Sequence, residues 1–185
     1  MSNLLGLLHR SEDPRVLSIL NGTREKRIYD DDIGLDRNWG LTSVVNHTTL
    51  LTSLAFDYMA AKDKKITFIH CTPGFVVTGT ERTRFPSKSD GIIWWAFLSV
   101  MQVVSGWIIL CIGMALKESG ERQAFYLTSN SYQPGSWRTN KINDVVPDNV
   151  VLNEYKERGW PEKSWEHTLQ VWDRALATGR ANSQP

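Results

Sequence analysis

The sequence predicts an α/β fold in which parallel strands are joined by a crossover helix and flanked by further helices. Three observations predict it. Residues 66–70, ITFIH, form a short run of β-branched and aromatic residues, entered from Lys62, Lys64 and Lys65 and left through Pro73-Gly74. A run apolar on both faces is how a buried parallel strand reads. Residues 43–61 place Val44, Leu50, Leu51, Leu54, Ala55, Tyr58 and Met59 at helical spacing and feed directly into that strand. Residues 15–20, RVLSIL, read as an earlier strand closed by the turn signal Asn21-Gly22. Strand, helix and strand make a βαβ unit, whose strands are parallel.

The remaining elements follow in order. Residues 3–10 look like the end of an amphipathic helix stopped at Pro14. The Asp-rich stretch 24–36 lacks the glycine and bidentate glutamate of a calcium loop, so it is expected to be a solvated loop without a metal. Residues 79–91 are polar and sit where lids over active sites occur. A helix is expected over 121–128, and a last strand or hairpin around Trp137 and Val145-Val146. The tail 150–177 reads as two helical pieces broken at 159–161, with Trp165, Leu169, Trp172 and Leu176 as a packing stripe. The final residues TGRANSQP read as frayed.

Length and charge bound the function. A chain of 185 residues fits one domain with a real core. A net charge of +1 gives no electrostatic pull toward nucleic acid. Cys71 and Cys111 are too few for a disulfide scaffold and stand in no metal-ligand spacing, which points to free thiols in a reducing, cytoplasmic setting. The N-terminus lacks the basic start and cleavage site of a signal peptide. Residues 92–116 carry no charge over 25 positions. Buried helices lining an apolar pocket are the favoured reading; a peripheral membrane contact and a single span stand beside it.

In open α/β sheets, ligands sit beyond the carboxyl ends of the strands. The turn 71–78 is therefore the first place to look for a site. Pro73 fixes φ there, Gly74 lets backbone approach a ligand, and Thr78 offers a hydroxyl.

The order LLGLLHRSEDP, RVLSILNG, NHTTLLTSLAFDYMA, ITFIHCTPGFVVTG and GERQAFYLTS resembles the C-terminal half of a short-chain dehydrogenase/reductase. The close, WPEKSWEHTLQVWDRA, is similar to a fungal branch of that family often encoded in secondary-metabolite gene clusters. The resemblance covers nearly the whole chain. It implies a Rossmann-like fold of which this is the C-terminal part, an NAD(P) cofactor and a lipophilic small-molecule substrate. It also implies that Pro73, Gly74 and Thr78 contact the nicotinamide end, and that 92–116 forms a lid.

Several family features are missing. The glycine-rich phosphate turn is absent, and Met1 falls well inside a typical member, so the sheet is expected to be incomplete with an edge left for a partner or oligomer. The family's catalytic serine position reads Leu20-Asn21-Gly22, and no Tyr-x-x-x-Lys stands at the matching start of the crossover helix. The best alignment puts Trp39 at the tyrosine and Ser43 at the lysine; a shift of two residues gives Leu41 and Val45. His47, one turn further on with Asn46 beside it, is the candidate substitute proton donor, and Ser43 is the second catalytic candidate. His70 at the strand end reads as structural. A Ser-His-Asp hydrolase is excluded by the lack of G-x-S-x-G. Two functions stay open: a divergent reductase acting on a lipophilic metabolite, and a non-catalytic remnant or binding module that keeps the pocket.

Overall fold

The computed structural model describes residues 4–74, 76 and 91–179. The chain divides into two compact units, one of residues 1–72 and 126–185, the other of 73–125. The lid segment, Thr78 and the end of the tail from residue 180 lie outside the described residues.

The first unit is built on a parallel sheet in the order β1-β2-β3, with β1 at Arg15–Ile19, β2 at Thr67–Cys71 and β3 at Gly135–Thr139. The expected βαβ unit is present, and its crossover helix is α2, Leu41–Lys62. A short α1, Leu5–Leu8, precedes β1. Central strand β2 is buried at all five positions, as its apolar run predicts. Its residues alternate between faces. Phe68 packs with Phe56 and Ala60 of α2, while Ile69 and Cys71 pack with Tyr126 and Tyr132.

The last strand and the hairpin are both real. β3 joins β2 in parallel, and the chain then returns along it through a Thr139–Val145 bridge and a Val146 N–H bond to the Arg138 carbonyl at 2.9 Å. The tail splits as expected, but the break is Gly159, at φ 72°. Pro161 instead sits in the first turn of the following helix, where its missing N–H costs nothing. We call Leu116–Thr128 α4, Val150–Glu157 α5 and Trp160–Thr178 α6. The α6 stripe packs only at its start: Trp165 stacks on Tyr58 at 6.2 Å, whereas Leu169, Trp172 and Leu176 are exposed.

Two expectations are overturned. The Asp-rich stretch is not a solvated loop, because Glu25 and Asp32 are buried and Asp30 is held by Tyr155 and Arg158. In the second unit, residues 92–116 do not form buried helices. Ile92–Ile112 is one helix, α3, whose described side chains are largely exposed. Among the described residues, no helix is long and apolar enough to cross a membrane.

Candidate functional site

The carboxyl end of the sheet is organised by a buried polar chain. Gly22, just beyond β1, lies flat against His70 at the end of β2. This lets the following stretch carry Glu25 inward. Ser53, from the middle of α2, donates to Glu25 Oε1 at 2.6 Å and meets His70 Nδ1 at 2.8 Å. A hydroxyl has one proton, so Nδ1 is the donor to Ser53, and His70 Nε2 is an acceptor. That Nε2 is buried with no partner among the described residues. Asn149 closes the chain: it donates to Glu25 Oε2 at 3.2 Å, and its own oxygen caps α5 by accepting from Leu152 N–H at 2.8 Å.

Burial decides how these groups titrate. Desolvation lowers the His70 pKa to about 4, with Arg138 adding to the effect. Desolvation raises the Glu25 carboxyl against the opposing Ser53 bond. Burial pushes the Cys71 thiol to about 11, so it is no nucleophile at neutral pH. The order Glu-Ser-His, with serine in the middle, is also not a nucleophilic triad, in which histidine stands between acid and hydroxyl.

Beside this chain lies an ion cluster. Arg138 pairs with Asp57, and its Nε faces Asp148 Oδ1 at 3.2 Å; Lys156 pairs with Asp148, and with Asp57 at 2.8 Å. Two cations and two anions leave it near neutral. Among the described residues, no group of acidic, histidine or cysteine side chains could hold a metal.

Open space adjoins the start of α2. A pocket of about 530 Å³, within the usual size range for small-molecule sites, is lined by residues that include Leu35, Asp36, Trp39, His47, Thr48 and Leu51. Asp32 builds its rim. One carboxylate accepts from the N–H groups of Asp36, Arg37 and Asn38 at 2.8–3.1 Å and from the Asn38 amide at 2.8 Å. Burial pushes that carboxyl up, but these donors outweigh it and hold it below the usual range.

The expected site residues separate. His47 lines the pocket, with its ring nitrogens engaged by backbone: Nε2 accepts from Tyr29 N–H at 3.1 Å and Nδ1 faces the Ile33 carbonyl at 3.2 Å. Desolvation lowers its pKa against the Ile33 bond. Ser43 is half-buried and outside the lining. Trp39, exposed, lines the pocket from the loop before α2 rather than from the helix. Pro73 and Gly74 follow β2 directly, and Gly74 has φ 73°. Sequence reasoning missed Glu25, Ser53 and Arg138. Arg138 left a signal: a lone charge inside the strand GSWRT, matched by the lone Asp57 inside the apolar stretch SLAFDYM.

Comparison with known proteins gives relatives but no family or structure. No family model matches the chain, and no solved structure matches it. It is 31% identical to oxidoreductase lepF of Aspergillus flavus over 96% of its own length and 60% of that protein's. It is 29% identical to oxidoreductase AN1596 of Emericella nidulans over 95% of its length and 58% of that protein's. It is 22% identical to the NmrA-like family domain-containing oxidoreductase notO of an Aspergillus species, over 98% and 56%. The chain thus spans about 60% of the length of the curated relatives it matches.

Proposed function

We propose that this chain forms the substrate side of an NAD(P)-dependent oxidoreductase of short-chain dehydrogenase/reductase type, acting on a lipophilic small molecule of fungal secondary metabolism. The observation that carries the reading is the strand-end turn. Buried central strand β2 runs straight into Pro73-Gly74, and Gly74 takes a left-handed conformation in which no side chain bars a ligand from the backbone. Fungal relatives called oxidoreductases and the parallel sheet support it.

Pro73 and Gly74 fit the nicotinamide end of such a cofactor, with Thr78 beyond them in the chain. The pyrophosphate has no matching cradle in the sequence, which contains no glycine-rich turn of the required spacing. Residues outside this chain, in the same protein or in a partner completing the free edge of β1, supply it. A bound cofactor would supply a hydride; within the first unit, the pocket beside α2 offers a lipophilic molecule an apolar wall from Leu35, Val44 and Leu51 and polar contacts from Asp36 and Thr48. His47 serves as a proton donor only if its Tyr29 or Ile33 bond opens, and Ser43 is the other candidate.

Those engaged nitrogens, with no Tyr-x-x-x-Lys at the start of α2 (Tyr58 and Lys62, which have that spacing, stand at its far end), favour a second reading: a module that binds a lipophilic molecule without transforming it. Titration of the chain with NADPH and NADH, followed by quenching of its eight tryptophans, tests the first. Saturation at micromolar cofactor supports it. No binding up to millimolar cofactor, with the fold verified by near-UV circular dichroism, removes catalysis by this chain alone.

A further inference from the structure

Helix α3 presents an apolar surface that a water-facing helix does not carry. Its side chains at Ile93, Trp94, Phe97, Val100, Val104 and Trp107 are all exposed, Ile93 by 85% and Trp107 by 67%. At about 100° per residue, the exposed apolar positions from Ile92 to Trp107 sweep roughly 200° of the helix circumference. The half-buried positions Trp95, Ser99 and Gly106 share the opposite side.

We propose that α3 lies in the interfacial plane of a lipid bilayer, its wide apolar face sunk among the upper acyl chains. Four observations select lipid over protein. A partner helix covers a stripe of about 100°, half of what is exposed here. Protein interfaces carry a polar rim, whereas no charged residue occurs anywhere in 92–116. Leu116, which opens α4, is likewise 62% exposed. Two exposed tryptophans, Trp94 and Trp107, stand near its two ends, and indole rings settle at the membrane–water boundary. The in-plane orientation follows from the half-buried side carrying Trp95, Ser99 and Gly106, which leaves one face of the helix, not its whole circumference, for lipid.

The test is flotation of the 185-residue chain with neutral phosphatidylcholine vesicles. The chain floats with the vesicles, equally in dilute and molar salt, because no charge carries the contact. The double variant Val100→Asp/Val104→Asp, both at exposed positions, lowers the bound fraction about tenfold or more. Ile19→Asp, at an exposed position on β1, leaves flotation unchanged and controls for general stickiness. Lipids brominated near the headgroup end of the chain quench tryptophan more than lipids brominated near the methyl end. A wild-type chain that stays at the bottom overturns the proposal, as does equal flotation of the double variant. A lipid-free dimer that the two aspartates dissociate and vesicles do not compete for would show that a second copy covers α3. Deepest quenching at the methyl end would show a span instead.

Discussion

A Cβ placed on Gly22 would stand 2.0 Å from the carbonyl oxygen of His70. The chain leaving β1 is thus in direct contact with the backbone of β2, and only the absence of a side chain lets Glu25 reach Ser53. Gly22→Ala must push the two strand ends apart, since the obstacle is backbone and cannot rotate away. A cost of about 2–4 kcal/mol is expected, read as a lowered urea midpoint. Loss of the Glu25–Ser53 bond should accompany it. An unchanged midpoint would show that this contact yields.

The His70–Ser53–Glu25 chain gives stability a definite pH dependence. His70 is held neutral to about pH 4 in the folded chain, against 6.5 for the free group. The unfolded chain therefore binds more protons between those values. Its contribution is intact above about pH 6.5 and is lost as pH falls toward 4, by about 3 kcal/mol at most. Glu25 works in the opposite sense: its raised folded value adds stability below the usual carboxylate range, and that is lost as pH rises through the folded value. His70→Gln should flatten the decline of the urea midpoint between pH 7 and 4. Glu25→Gln should steepen it.

The sheet was legible because its signals are local. An apolar strand bounded by lysines and Pro-Gly, preceded by a helix of regular period, admits few arrangements. The polar interior was not legible, because Glu25, Ser53, His70 and Asn149 come from four separate segments and none carries a spacing signature. Asp30 and Asp32 read as solvated charges for the same reason: nothing in DDD says that Tyr155 and the 36–38 backbone will meet them. Residues 92–116 misled differently. Uniform apolarity says that a helix avoids water, but not whether protein or lipid receives it.

Arg138 is the keystone of the ion cluster, 5% exposed and shared between Asp57 and Asp148. Arg138→Met keeps the apolar stem but leaves two carboxylates with Lys156 alone. Removing one partner of a buried cluster costs about 3–5 kcal/mol. Adding Asp57→Asn to that variant should recover part of the loss, because one uncompensated charge is then gone. Thermal midpoints of the two singles and the double give the coupling directly; strict additivity would mean that the residues do not act as a unit.

Asp32 is predicted to govern the pocket rather than the core. Its carboxylate gathers the backbone of 36–38 into the rim that holds Leu35 at φ 58°, an unfavourable angle for a leucine without such a frame. Asp32→Ala releases those donors to water while the sheet stays intact. Amide exchange at Asp36, Arg37 and Asn38 should quicken about tenfold or more, with β2 amides unaffected. Because the folded carboxyl is held low, the frame is present above the ordinary Asp range and lost only as pH falls through the depressed value. Any lipophilic ligand of the pocket should therefore bind the native chain at pH 7, where the frame is intact, and bind the variant weakly at the same pH. Equal ligand affinity in the variant would place the binding site elsewhere.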